Sequence, residues 1–180
     1  FKKVHWEEAM KQEDYELLST RWVFTYKLDS GSYLERYKAR LVIRGDMQMS
    51  WDETYSATIS SKAIRALIAL ATAFGYKSWQ HDLITAYLNA GIDRDDYFIQ
   101  MPQGIKGDPN EWLRLKKALY GLKQSPLLWQ KEFTKTHLEL GFEQVSEEVC
   151  LFKNKDSIIL FFYVDDVVTL FQPEQEGLAR

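Results

Sequence analysis

Polar and apolar positions alternate early in the chain. Trp22, Phe24, Tyr26 and Leu28 are interleaved with Val23, Thr25 and Lys27, the two-residue period of a strand. Asp29-Ser30-Gly31-Ser32 supplies a turn, and Tyr33–Ile43 returns as the second strand of a hairpin. Before it, His5–Leu18 reads as a short amphipathic helix with its acids in water. Gly45–Ser60 has no period and is expected to be loop. Lys62–Phe74 is rich in Ala, Leu and Ile and stops at Gly75, predicting a core helix apolar around most of its circumference. Ser78–Leu83 and Tyr97–Met101 predict strands, with a tight turn or short helix over Thr85–Asn89. Trp112–Leu122 predicts a strand followed by a turn. Pro126 fits the first turn of a helix in which Trp129, Phe133, His137 and Leu140 recur at helical spacing until Gly141. Ser157–Tyr163 and Asp166–Phe171 predict a second hairpin turning through Val164 and Asp165, and the tail from Gln172 reads as frayed.

Composition bounds the reading. In 180 residues, 46% hydrophobic and 14% aromatic content exclude a wholly disordered chain. A net charge of −3 offers no global attraction to a polyanion. Locally the map differs: Arg36–Gly45 holds Arg36, Lys38, Arg40 and Arg44 without an acid, and Trp112–Lys131 holds Arg114, Lys116, Lys117, Lys123 and Lys131 without one. These patches are either ordinary solvated faces or the walls of a nucleic-acid cleft. The single cysteine, Cys150, excludes an internal disulfide and a multi-cysteine metal site, and its apolar flank predicts a buried thiol. The apolar run Ile158–Val164 is too short for a helical membrane span. With no leader pattern at the N-terminus, an intracellular location without membrane association is expected. Because the chain starts at Phe1, an excerpt of a longer protein is also expected.

The carboxylates are the chemical signal. Asp165-Asp166 follows the seven apolar or aromatic residues Ile158–Val164 and precedes Val167-Val168. Adjacent acids in such a setting either polarise a hairpin turn or hold a hard cation such as Mg²⁺. Asp82 ends another apolar strand, and beside Asp165 it would complete a cluster able to hold two cations. Alone it is an isolated strand-end acid.

The motifs together resemble the reverse transcriptase domain of Ty1/copia-type LTR retrotransposons. They are Trp22-Val23-Phe24 with Lys27, YKARLVIRG (Tyr37–Gly45), Gln48, DET (Asp52–Thr54), QHDLITAYLNA (Gln80–Ala90) and QMPQG (Gln100–Gly104). LKKALYGLKQSPLLW (Leu115–Trp129), Gly141-Phe142, CLF (Cys150–Phe152) and YVDD (Tyr163–Asp166) complete the set. The resemblance implies an α+β right-hand polymerase fold without its thumb. A fingers-like region spans 1–60 with the basic hairpin; a palm-like region spans 61–171, an antiparallel sheet backed by helices; the tail is 172–180. It implies Asp82, Asp165 and Asp166 as catalytic acids, with Asp82, Asp165 and the Leu83 carbonyl holding two Mg²⁺ ions, Mn²⁺ substituting. Lys38, Arg40, Leu83, Tyr87, Lys123 and Gln124 are implied to meet the deoxynucleoside triphosphate. Tyr87, otherwise a packing residue, would lie beneath the sugar and exclude a 2′-hydroxyl. Gly121, Ser125, Tyr163 and Val164 are implied to contact primer or template.

The implied activity is RNA-directed DNA polymerisation on a primed RNA or DNA template. It would act in a cytoplasmic retroelement particle or the nucleus, with thumb and RNase H regions as polyprotein neighbours. The alternative is an inactive truncated remnant that binds nucleic acid or a protein. A two-metal nuclease would use the same acids but leaves Tyr87 and the Gly121–Pro126 segment without roles. Some positions depart from the family pattern. The 46–60 loop lacks a Gly-Ile-Asp-Tyr-like element and a Pro-Val pair, no Asp stands just before Cys150, and Tyr120 occupies a place where many viral relatives carry Gln.

Overall fold

The computed structural model describes residues 1–49 and 53–178. Asp52 of the Asp52-Glu53-Thr54 motif, with Ser50 and Trp51, lies outside the described residues. The chain is α+β and divides into two units, each assembled from two stretches: unit 1 is Phe1–Thr54 with Tyr87–Leu128, unit 2 is Tyr55–Ala86 with Trp129–Arg180. Among the described residues no helix is long and apolar enough to cross a membrane.

Unit 1 contains β1 (Lys2–His5), α1 (Trp6–Ala9), β2 (Glu16–Leu18), β3 (Thr20–Leu28), β4 (Leu34–Ile43), β6 (Tyr97–Gln100) and β7 (Glu111–Arg114). The expected helix over His5–Leu18 is replaced by strand, one helical turn and strand. Lys2–His5 pairs antiparallel with Arg114–Glu111, and Glu16–Leu18 pairs parallel with Tyr97–Ile99. Ladders to partners roughly 80–110 residues away pair the backbone groups of these strands, and a short helix, costly to nucleate, does not compete with them. Ala9, fully buried, packs with Val4 and Phe98. The strand order is β1-β7-β6-β2, and Leu18, Ile43, Tyr97, Ile99, Leu115, Leu119 and Leu122 form the main core of the unit.

β3 and β4 form the expected hairpin, with Tyr26 opposite Tyr37, Thr25 opposite Lys38 and Val23 opposite Arg40. Arg36, Lys38 and Arg40 therefore share one face. On the other face Phe24, Tyr26 and Tyr37 are exposed. At the end of β4 the backbone of Ile43 meets the 120–121 segment: its N–H donates to the Tyr120 carbonyl at 2.7 Å. Gly121 has φ +87° there, and a Cβ on it would overlap the Ile43 carbonyl oxygen, while a Cβ on Gly45 would overlap the Gly121 oxygen. Two glycines let these backbones cross in contact.

Unit 2 is built on an antiparallel five-stranded sheet, order β5-β11-β10-β9-β8, from β5 (Lys77–Asp82), β8 (Phe142–Val145), β9 (Glu148–Asn154), β10 (Ile159–Tyr163) and β11 (Asp166–Phe171). Helix α2 (Ser61–Ala73) starts where the Ser60 hydroxyl accepts from the Ala63 N–H at 3.1 Å and donates to the Glu148 carboxylate. α2 differs from the expected core helix: only Leu67 is buried, and Ile68, Leu70 and Phe74 are exposed. It covers the sheet on one side only, sharing a cleft of about 450 Å³ with Phe161, Tyr163, Asp166 and Val168.

Helix α3 (Ser125–Glu139) supplies Trp129, Phe133 and His137 to unit 2. Phe133 lies 4.5 Å from Phe162 and 4.0 Å from His137, ring to ring, on the opposite sheet face from Phe161. His137 Nδ1–H donates to the Phe133 carbonyl at 2.9 Å, and burial pushes the imidazole pKa below its ordinary value. Cys150 is buried as expected; burial, then Glu148, raise its thiol pKa to about 11. The segment read as a frayed tail opens with a 3-10 turn, Pro173–Gln175, in which the Gln172 N–H donates to Gln175 Oε1 at 2.9 Å.

Candidate active site

β5 and β11 run antiparallel with Asp82 directly opposite Asp166. Directly paired residues project to the same sheet face, so both carboxylates stand on one side at one end of the sheet. Asp165 is next to them in the two-residue turn closing β10 onto β11, where Tyr163 pairs with Asp166. The Leu83 N–H donates to the Asp165 carbonyl at 3.1 Å. Strand pairing thus brings together residues more than 80 positions apart. Asp82 and Asp166 are exposed, Asp165 is half-buried, and Tyr163 keeps 53% of its surface. Gln80, two residues before Asp82 and on the same face, donates from Nε2 to Asp166 Oδ1 at 3.2 Å. In the sequence Gln80 stands only as the first residue of the Gln80–Ala90 motif, and its bond to Asp166 emerges with the strand pairing.

The turn itself is restrained. Val164 adopts φ +59°, a region that a β-branched residue rarely enters. Trp129 Nε1–H donates to its carbonyl at 2.8 Å. The carboxylate oxygens and the Leu83 carbonyl are hard donors of the type Mg²⁺ takes, so the donor chemistry fits. Among the described residues, however, no group of three or more His, Cys, Asp or Glu side chains is arranged to hold an ion.

A second constellation belongs to unit 1. Tyr87 packs against Tyr120, ring centroids 4.7 Å apart and tilted by 59°, and the Arg40 guanidinium lies 5.9 Å over the Tyr120 ring. Lys38 is exposed on the same strand face as Arg40. The Gly121–Pro126 segment is fastened from within: Gln124, 6% exposed, donates from Nε2 to the Tyr97 hydroxyl at 2.8 Å and accepts from Gln48 Nε2 at 2.8 Å. The Lys123 N–H donates to Gln48 Oε1 at 3.0 Å and its ammonium to the Gln48 carbonyl at 2.9 Å. Ser125, fully buried, donates from its hydroxyl to the Leu119 carbonyl at 2.6 Å. In this structure Gln124 and Ser125 direct polar groups into unit 1, and the close approach that Gly121 permits is to the Ile43 backbone.

A model of the reverse transcriptase (RNA-dependent DNA polymerase) family matches residues 5–174. The chain belongs to the reverse transcriptase family. It is 36% identical over 159 residues to the Pol polyprotein from transposon RE1 of Arabidopsis thaliana, covering 84% of this chain and 11% of that protein. To the Pol polyprotein from transposon TNT 1-94 of Nicotiana tabacum it is 32% identical over 160 residues, 84% of this chain and 12% of that protein. To the transposon Ty1-BL Gag-Pol polyprotein of Saccharomyces cerevisiae it is 36% identical over 159 residues, 84% of this chain and 8% of that protein. The chain thus spans about a tenth of the length of these Ty1/copia-type relatives. No solved structure matches it.

This reverse transcriptase domain therefore carries its sequence-predicted acids together in unit 2, with Leu83, Tyr163 and Val164 beside them. Its other candidates, Lys38, Arg40, Tyr87, Gly121, Lys123, Gln124 and Ser125, belong to unit 1. Sequence reasoning missed the Trp129 bond to the turn. It also missed the anchoring role of Gln48, although both residues stood inside motifs it had marked.

Proposed function

We propose that the chain is the fingers-and-palm part of an RNA-directed DNA polymerase that extends a primer on an RNA or DNA template. The five-stranded sheet of unit 2 serves as palm and the β3–β4 hairpin as the fingers element. The observation that carries the reading is the pairing of Asp82 with Asp166, with Leu83 bonded to Asp165, at one end of an antiparallel sheet. In the reaction the primer 3′-hydroxyl oxygen forms a bond to the α-phosphorus of a deoxynucleoside triphosphate, and pyrophosphate leaves. Asp82, Asp165 and the Leu83 carbonyl would hold two divalent ions. When bound, Mg²⁺ (or Mn²⁺ in its place) lowers the hydroxyl's pKa and offsets triphosphate charge. Asp166 stands by as accessory acid, positioned by Gln80. Lys38 and Arg40 supply cationic donors for the triphosphate. The Tyr87 ring, buttressed by Tyr120, forms the floor under the sugar. Tyr163, exposed at the turn, meets the primer end.

A second reading, a folded remnant that binds nucleic acid or a protein without catalysis, draws on the missing three-acid grouping among the described residues. Primer extension by the full-length native enzyme separates the two. The polymerase reading expects Mg²⁺-dependent extension that falls by more than ~100-fold in D82N and in D165N, because even outer-shell changes at metal sites cost about 10–100-fold. Extension that persists in both variants refutes the assignment, and absence of extension in the wild type favours the remnant.

A further inference from the structure

The turn that carries Asp165 is short and conformationally costly. It has two residues, and the first, Val164, is held at positive φ although its branched Cβ disfavours that region. Such a conformation persists only where surrounding structure over-determines it. Two bonds do so here. The Leu83 N–H, from β5, holds the Asp165 carbonyl at 3.1 Å. The Trp129 indole N–H, from α3, holds the Val164 carbonyl at 2.8 Å. The first belongs to the edge of the strand ladder. The second is a side-chain bond across 35 residues that no secondary structure requires.

Trp129 is suited to act as a fixed post. It is 7% exposed, and its ring packs on Phe133 at 5.4 Å in an edge contact. Phe133 in turn lies against Phe162, one residue before Tyr163. The indole donor thus reaches the turn from a ring whose rotation is blocked by packing. Tryptophan has no acceptor on that ring, so the N–H must be satisfied when buried, and the Val164 carbonyl is its partner.

We propose that Trp129 is a positioning residue. By holding the Val164 carbonyl it fixes the strained turn, and with it the direction of the Asp165 carboxylate relative to Asp82. Without that bond Val164 relaxes toward negative φ and Asp165 is re-aimed. The proposal rests on the reading of Asp82 and Asp165 as a cation-holding pair. Trp129 itself touches neither substrate nor ion.

The test replaces Trp129 by phenylalanine, and separately by benzothienylalanine, which keeps the two-ring shape but has sulfur in place of the N–H. Both are compared with wild type and with D165N. Mn²⁺ affinity is measured by electron paramagnetic resonance on the 180-residue chain, and primer extension on the full-length native enzyme. The expected result is a roughly twofold to tenfold loss of Mn²⁺ affinity, the range of one hydrogen bond. A similar fall in kcat is expected, with KM for the nucleotide within about twofold, since nothing that binds the nucleotide is touched. In the wild type the Trp129 indole proton should exchange slowly with solvent, a readout that needs no variant. The proposal is overturned if the benzothienylalanine protein binds Mn²⁺ and turns over as wild type while D165N loses both, or if the indole proton exchanges as fast as an exposed one. Wild-type binding and turnover by D165N would instead overturn the underlying acid-pair reading, and this proposal with it.

Discussion

The crossing of Gly45 and Gly121 makes a quantitative demand on Gly121→Ala. At φ +87° an alanine carries a left-handed penalty of roughly 1–2 kcal/mol. Gly104, also in unit 1, has φ +85° with nothing within 4 Å of an added Cβ, so Gly104→Ala carries that penalty and no more. At Gly121 the new Cβ overlaps the Ile43 carbonyl oxygen and stands 3.0 Å from its carbon, both backbone atoms that cannot rotate away. The segments must separate, breaking the 2.7 Å bond from Ile43 N–H to the Tyr120 carbonyl, about 0.5–1.5 kcal/mol. They also disturb the core around Ile43, at roughly 1–3 kcal/mol for overpacking. Gly121→Ala should therefore lose about 2–4 kcal/mol more than Gly104→Ala, lowering Tm by roughly 5–15 °C more for a chain of this size. Paired thermal and urea denaturation, followed by circular dichroism, measures the difference. Equal losses within about 0.5 kcal/mol would refute the close-crossing argument.

Cys150 and His137, both in unit 2, give further testable outcomes. Cys150, raised to about 11 by burial, should resist Ellman's reagent at pH 8 in the folded chain and react fully only in denaturant; rapid labelling when folded would contradict its placement. Its raised pKa also makes the folded state the better proton holder between about 9 and 11, so stability should fall as pH rises through that window. His137 is depressed below its ordinary 6.5 by burial. The stability it contributes is then complete above that pH and is lost as pH falls through the region beneath it. A proton NMR titration should place its midpoint under 6.5, and a midpoint above it would contradict the burial argument.

Much of the fold was legible where order is local. The period of Trp129, Phe133 and His137, the alternation in β3 and β4, and the Tyr163–Asp166 turn each carry their own signal, and the structure has them within a residue or two. What escaped is non-local. β1 and β2 exist because β7 and β6 lie beside them, and nothing within residues 2–18 announces partners near residues 97–114. The β8–β9 hairpin was hidden by Glu143, Gln144, Glu147, Glu148 and Lys153, whose charge and polarity resemble loop. The acids of the site were legible through the resemblance: strand-end position alone left them equally readable as turn or edge residues, and the ordered motifs around them singled them out. Their support was not. Gln80, Trp129 and Gln48 act through contacts spanning 35 to 86 residues, and a sequence pattern records a residue's own period but not what its polar atom meets. Gly121 illustrates the boundary: its type shows that something must come close, and only the structure shows that this is the Ile43 backbone.

The account stands on Asp82 and Asp165 holding a divalent cation together, and Mn²⁺ titration of the 180-residue chain by electron paramagnetic resonance tests that most directly. Affinity should fall by at least ~10-fold in D82N and in D165N and remain unchanged in E143Q, whose exposed carboxylate belongs to β8 at the far edge of the same sheet. Equal binding by all four proteins would contradict it.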